Sequence, residues 1–546
     1  MNVDEHTSGF EDLRRDVEIH LSLQDEASRL RQALDKARFE LEAAQRRHDG
    51  LALRLKLLDE RIESIGDGIN VKRRHVVQEK LLDFPPELLQ QVFGATAAAF
   101  DIDQYFLEKV TDAAPGGDPS LSNRSRLPYR LRAVSRRWKA AADGTPALWS
   151  WIAVSDTSTW PSHIVSKIID HIRKLTELSG NHGLDVYLQY CRDSSLDDEE
   201  SDRDDDRRND SRCYEKIFDI LRNNISRIRS FVLDAPTNIT IGAAIEERSA
   251  LVDLAFDLLR SPTPNLQSLC LSFSGVLDEA GDSVTWSSIH APRSLPTFLP
   301  HAPQLRKLSL HNAPFALSDR HPGLNSLESL WIERDRLEPY VVWDILRATP
   351  SLKELFLCLN SEISAQANSS DNRVPELSQL HKLAALGDGV QFILQQDTAP
   401  RLPRLAHFIG DRWSLGSDGL AQQLAGVIQH LELEDLRSIQ PFHQSLALCN
   451  NIEQLTLRDC HMDTDATWMW PKLHCICFQR VEFEQEEEGI IRVINSRNAS
   501  SSTIQDNLLG IRTVEADSKS LPRSIAAQIV DLLGERNVRY SLLSEL

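Results

Sequence analysis

Eight times in the last two thirds of this chain, an apolar residue is followed three and five positions later by two more. The sets are Ile228-Phe231-Leu233, Leu266-Leu269-Leu271, Leu305-Leu308-Leu310, Leu327-Leu330-Ile332, Leu352-Leu355-Leu357, Ile428-Leu431-Leu433, Ile452-Leu455-Leu457 and Leu473-Ile476-Phe478. The last two members of each set are two residues apart, so in an extended strand they share one face. Neighbouring sets often begin 21 to 25 residues apart, with gaps near 39 or more where a unit is inserted or degenerate. Proline stands two residues before several of them, as Pro264, Pro303, Pro350 and Pro471. A unit of one short strand and a return segment cannot bury its apolar side alone, and only stacking on the next unit does so.

This arrangement resembles a divergent leucine-rich repeat, which implies an α/β solenoid over residues 153–546. The Asn or Cys that usually ladders between such units is inconsistent here; Asn312 and Cys460 fit it loosely. The alternative is an ordinary α/β domain whose strands share a pattern. If the second and third apolar residues face inward, the residue between them lines the open side of the sheet. That places Cys270, Ser309, Trp331 and Phe356 side by side, with Glu432, Thr456 and Cys477 farther along. Trp331 beside Phe356 would make an aromatic anchor of the kind that dominates interfaces. The substrate-binding candidates are therefore Trp331, Phe356, Glu432 and Thr456. A loop covering them as additional core is the competing reading.

The N-terminal part, residues 1–80, reads differently. Ala27, Leu30, Leu34, Ala37, Leu41, Ala44, Leu51, Leu55, Leu58, Ile62, Ile65 and Ile69 recur at alternating steps of four and three, interrupted only by His48. A 3.5-residue period predicts a long helix with a coiled-coil seam. Arg31, Arg38, Arg47, Arg54 and Arg61 outnumber Glu40 and Asp59 along its edges. A second copy, an acidic partner helix, or packing on the same chain all remain open. Gly66 and Gly68 are expected to end the helix.

Between these regions, DFPPELLQQVF at Asp83 to Phe93 and LRAVSRRWKAAADGTPALWSWI at Leu131 to Ile152 form two helical blocks. Pro85 and Pro86 suit a helix start, where a missing N–H costs nothing. Leu88, Leu89, Val92 and Phe93 cover two adjacent helical faces, one for Trp138 and Leu131 and the other for a partner's groove. TDAAPGGDPSLSNRSR between the blocks has the composition of an inserted loop. The blocks resemble the F-box. Phe84, Pro85, Pro86, Glu87, Leu88 and Leu89 match its opening, with Phe84 in place of the first Leu. Val134, Arg136, Arg137 and Trp138 match its second helix, and Thr145, Pro146, Leu148 and Trp149 match its end. The resemblance covers residues 83–152.

It implies binding to the Skp-type adaptor of a cullin-RING ubiquitin ligase, with a protein substrate held on the repeats. The adaptor-binding candidates are Pro85, Pro86, Leu88, Leu89, Val92, Phe93, Trp138 and Trp149. The whole reads as a multidomain α plus α/β protein: long helix or coiled coil, small helical F-box, leucine-rich-repeat-like solenoid. A scaffold that uses its coiled coil and repeats outside any ligase is the alternative function.

The formal charge of −20 opposes non-specific attraction to nucleic acid or to anionic membranes. No stretch of about eighteen apolar residues occurs. The eight cysteines form no C-x-x-C pair. Reduced thiols in the cytoplasm or nucleus are expected. No Gly-Lys pair, G-x-S-x-G or H-E-x-x-H is present, so neither an enzyme nor a cofactor is expected. Cys460 and His461 with His474, Cys475 and Cys477 have soft-ligand chemistry but not zinc spacing. Residues 193–212 hold ten acids, four arginines and one aliphatic residue, the composition of a disordered loop.

Overall fold

In this computed structural model the described residues are 84–98, 119–154, 162–189, 204–235, 253–273, 298–313, 321–334, 339–359, 376–387, 401–415, 426–436, 448–462, 470–483, 510–517, 523–534 and 538–541, with parts of 20–68 and isolated positions elsewhere. The chain forms two compact units, Met1–Leu88 and Leu89–Leu546.

In the first unit, the described positions from His20 to Gly68 are helical. Leu30, Leu34, Leu55, Leu58 and Ile65 of the predicted seam are all exposed within this unit. Gly68 is itself helical, and the residues after it, where the helix is expected to end, lie outside the described part, as do the seam's other members.

The second unit is built on one fourteen-stranded parallel sheet whose strand order follows the sequence. The strands are β1 (Trp151–Val154), β2 (Leu184–Gln189), β3 (Ile228–Ala235), β4 (Ser268–Phe273), β5 (Lys307–His311), β6 (Ser329–Arg334) and β7 (Glu354–Leu359), followed by β8 (Lys382–Leu386), β9 (His407–Gly410), β10 (His430–Glu434), β11 (Gln454–Arg458), β12 (Cys475–Gln479), β13 (Thr513–Asp517) and β14 (Val538–Ser541). Sequential neighbours throughout, all parallel, are what a repeat solenoid requires. Every residue of the eight predicted sets is at most 3% exposed, so the inward assignment holds in all eight units.

Four units enter their strands the same way. Leu266 N–H donates to Thr263 O, Leu305 to Ala302, Leu352 to Thr349 and Leu473 to Trp470, at 3.2 to 3.3 Å. These are β-turns with Pro264, Pro303, Pro350 and Pro471 in the second position, where the fixed φ of proline suits the turn. The predicted prolines thus set the turn that aims the next strand. Four exits are alike too. Asn312, Asp435, Asp459 and Arg480 follow their strands at φ 50 to 53°. Asn312, Asp435 and Asp459 donate their N–H groups to Glu333 O, Arg458 O and Gln479 O of the following strand. Asn312 therefore stabilises an exit turn, while buried Ala313 holds the ladder position after it. Cys460 does ladder: its buried thiol, just past β11, donates to Leu433 O of the preceding strand β10 at 3.3 Å.

Six of the fourteen strands, β1, β2, β8, β9, β13 and β14, escaped the sequence pattern, and two of them show why. Leu380 and Leu383 precede Ala385 on β8, and Leu405 and Phe408 precede Gly410 on β9; the third position is small in both. A Cβ on Gly410 would lie 2.6 Å from both Phe408 Cε1 and Ser414 Oγ. The large ring at the second position thus occupies the space that a third apolar side chain would fill.

Helix α1 (Pro86–Ala98) begins with Pro86 and carries Glu87 in its first turn, favourable near the positive helix end. Helix α2 (Pro119–Val134) overturns part of the expected insertion, because Pro119 to Arg126 is helical. Buried Arg124 and Pro128 anchor that segment, and the Arg124 guanidinium reaches Ala147 O at 3.4 Å. Helix α3 (Arg136–Asp143) starts where Ser135 caps the Trp138 N–H at 3.1 Å. Helix α4 (Ser162–Leu178) buries Val165, Ile169, Ile172 and Leu175.

Helix α5 (Asp204–Asn223) corrects the second half of the expected acidic loop. Cys213, Tyr214, Ile217, Phe218 and Leu221 bury one stripe, and Phe218 meets Phe231 of β3 edge-on with centroids 6.3 Å apart. That docking supports helix propagation backwards toward Asp204. Residues 193–203 lie outside the described part. Among the described residues, no helix is long and apolar enough to cross a membrane.

Replacing Gly410 with Ala should destabilise the chain by about 1–3 kcal/mol through overpacking. Adding Phe408→Leu should recover part of that loss, both read as shifts of the urea midpoint.

Candidate interaction surfaces

Pairing register turns the residues between inward positions into one row across the sheet. It runs Tyr187, Val232, Cys270, Ser309, Trp331, Phe356, Ala384, Ile409, Glu432, Thr456 and Cys477. The structure therefore brings Trp331, Phe356, Glu432 and Thr456 into one line, but their exposure divides them.

At its start the row is sealed. Trp151, Tyr187, Val232 and Cys270 pack as one buried cluster, so Cys270 is core and not the open lining expected of it. Beyond it, Ser309, Trp331 and Phe356 are half-buried and face outward. Trp331 and Phe356 occupy paired positions on β6 and β7, and their rings stack with centroids 3.5 Å apart at 17°. Such a pair contributes roughly 0.5–1.5 kcal/mol beyond area burial. His311 flanks the other side of Trp331, with centroids 5.6 Å apart.

That histidine is held from both sides. His311 Nδ1 lies 2.9 Å from Glu333 Oε2 and its Nε2 lies 2.9 Å from Ser309 Oγ. A carboxylate accepts from Nδ1–H, which leaves Nε2 to accept from the serine hydroxyl. The hydrogen bond from His311 leads the effects that hold the Glu333 carboxyl below its ordinary range. The polarity is that of a serine–histidine–carboxylate relay. Acyl transfer also needs free donors for an oxyanion, and β5 is paired on both sides, with β4 and β6. The network's evident work is to fix the imidazole against Trp331 and keep one negative charge at the edge of the aromatic pair.

Farther along, Glu432 and Thr456 are only 7% and 8% exposed, which corrects their expected role as presented contacts. Arg458 reaches Glu432 Oε1 at 2.9 Å and also holds Gln479 Oε1 at 3.0 Å. His407 and His430 stack in parallel with centroids 4.1 Å apart, and His430 Nε2 lies 3.2 Å from Thr456 Oγ1. Burial pushes the Glu432 carboxyl up, but the His407 hydrogen bond and the Arg458 charge outweigh it, leaving the group lower than usual. Burial, with His407 adding to it, pushes His430 down to about 4. Cys477, next in the row, is pushed up to about 11 by burial. His311, Glu333, His407, His430 and Arg458 were not singled out by sequence. Each stands just outside the two inward residues of its strand, immediately before the first or after the second.

A second surface lies on α1. Leu89 and Phe93 are 1% and 2% exposed, whereas Leu88 and Val92 are 42% and 51% exposed. Phe93 meets the Trp138 ring with centroids 5.2 Å apart. Trp149 is fully buried, its Nε1–H donating to Ala142 O at 2.8 Å, with Tyr129 edge-on at 5.6 Å and the Arg132 guanidinium 5.5 Å from its ring. Leu89, Phe93 and Trp149 are thus core residues that shape this region, which corrects their listing among surface contacts. Trp138 is half-buried, while Pro85, Pro86, Leu88 and Val92 are exposed. Among the described residues, no group of three metal-ligating side chains converges.

An unfolded histidine titrates near 6.5, so between that value and about 4 the unfolded chain takes up a proton that folded His430 refuses. The stability that neutral His430 contributes is complete above about pH 6.5 and is lost as pH falls toward 4. The urea midpoint of His430→Gln should accordingly drop less between pH 7 and pH 5 than that of the unaltered chain.

No family model matches this sequence, and no curated protein matches it. Solved structures do: one is the crystal structure of the Rad7 and Elc1 complex in yeast, 15% identical, with a TM-score of 0.32, covering 82% of this chain and 96% of that chain.

Proposed function

We propose that this chain is a non-catalytic receptor: an F-box-like domain at residues 83–152 docks on a Skp-type adaptor of a cullin-RING ubiquitin ligase, and the repeat sheet holds a protein substrate. The observation that carries the adaptor half is the division of α1. Leu89 and Phe93 turn inward onto the Trp138 side, and Leu88 and Val92, four residues apart on the opposite side, stay exposed. An amphipathic helix that keeps apolar residues outward after its own core is filled suits a partner's groove. The substrate half rests on the half-buried Trp331–Phe356 stack with the Glu333 carboxylate at its edge. A large aromatic surface held rigid by His311 loses little freedom on binding, which favours it as an anchor. On this reading the protein has no cofactor and works in the cytoplasm or nucleus, where adaptor and cullin are found and its thiols stay reduced.

Val92→Asp and Leu88→Asp should each weaken adaptor capture at least tenfold while leaving the thermal midpoint within a few degrees, because both side chains are exposed. Leu89→Asp should instead unfold the region, since it puts a charge in the core. Co-purification of a cullin with the adaptor supports the ligase role. Adaptor without cullin, or normal capture by a folded Val92→Asp chain, points to a scaffold outside ligases. Trp331→Ala with Phe356→Ala should abolish substrate enrichment in affinity mass spectrometry and leave adaptor capture intact.

A further inference from the structure

We infer that the N-terminal helix is covered by a second copy of this chain, running parallel and in register from about Leu23 to Ile69. Leu23, Leu30, Leu34, Leu55, Leu58 and Ile65 are helical and between 54% and 65% exposed. Leu53 and Leu57 are exposed as well, so the stripe is selected by spacing, which returns to one side every seven residues. Six exposed apolar residues on one seam, spread over some six heptads or roughly 65 Å of helix, are more apolar surface than a lone helix keeps in water.

The charges beside the seam choose the occupant. Numbering the seam so that Leu34 and Leu55 are a positions and Leu30 and Leu58 are d positions puts Glu26, Ala33, Glu40, Arg47, Arg54 and Arg61 at g. Arg31, Arg38, Gln45, Ala52, Asp59 and Gly66 then fall at e. In a parallel pair each g residue faces the e residue five positions later in the other copy. Glu26 then meets Arg31 and Arg54 meets Asp59, each twice by symmetry. The remaining meetings, Ala33 with Arg38, Glu40 with Gln45, Arg47 with Ala52 and Arg61 with Gly66, set a charge against a neutral residue. No like charges meet, so the excess of arginine along the edges does not oppose self-association. An acidic partner helix would satisfy the arginines but would set acid against Glu26, Glu40 and Asp59.

The test uses the full 546-residue chain. Light scattering at tens of micromolar should give twice the 61.7 kDa chain mass; a single-chain mass overturns the inference. Leu30→Cys should give a disulfide-linked dimer on mild oxidation beyond any formed by the unaltered chain. A dimer that fails to cross-link there overturns the parallel arrangement, because an antiparallel copy would carry that thiol tens of ångströms away. Arg54→Glu should weaken the dimer on the order of tenfold, as two symmetric pairs pass from attraction to repulsion, and adding Asp59→Arg should restore it. Failure of that restoration, with helix content unchanged by circular dichroism, also overturns the pairing. Adaptor capture by the same variants should be unaltered, so this result stands apart from the receptor reading.

Discussion

The parallel register between successive units is the constraint on which the second unit of this protein depends. Each strand offers two inward apolar side chains that nothing in its own unit can cover; the next strand and the turn before it do so. At about 2 kcal/mol for each fully buried aliphatic side chain, a single unit gains too little to offset the ordering of its twenty-odd residues. Stacking spreads that cost over a continuous core. It also leaves each open-face residue one strand spacing from its counterpart, about 4.8 Å away. The stacked rings of Trp331 and Phe356, and of His407 and His430, are direct products of that spacing.

Much of this was legible in the chain because an inward position leaves a strong mark. Leucine or isoleucine two apart, preceded by a turn with proline, found eight strands and their register neighbours. It missed β1, β2, β13 and β14 at the two ends of the sheet, and β8 and β9, where Ala385 and Gly410 replace the last apolar residue and the large Phe408 ring takes up the space beside Gly410. It also missed α5, because ten acids in a row of twenty outweigh, by composition, the apolar stripe that begins only at Cys213. Docking of Phe218 on Phe231 is tertiary, and no local pattern carries it.

The candidate surfaces were legible in part, for a related reason. Sequence placed Trp331, Phe356, Glu432 and Thr456 in one row, and the register does so. It could not say how much of that row is roofed. Long neighbours such as Arg458 and the paired histidines close over Glu432, while Trp331 and Phe356 stay half-buried. On α1 sequence proposed two apolar faces, one for Trp138 and one for a partner, without saying which residue belongs to which; packing puts Leu89 and Phe93 in the wall and Leu88 and Val92 on the surface.

Three matching exits from the sheet carry a consequence for how such a chain can change. Asn312, Asp435 and Asp459 leave their strands in the same left-handed geometry and are tied by their own amides to the neighbouring strand. Direction is therefore reset at these crossings, whatever length of polypeptide follows. Residues can be gained or lost after such a turn without the error travelling onward, which is how the units that follow them, set 22, 24 and 21 positions on, share one unbroken ladder. Variation is channelled into the connecting segments, and the geometry of the open face is preserved while its surroundings are rewritten.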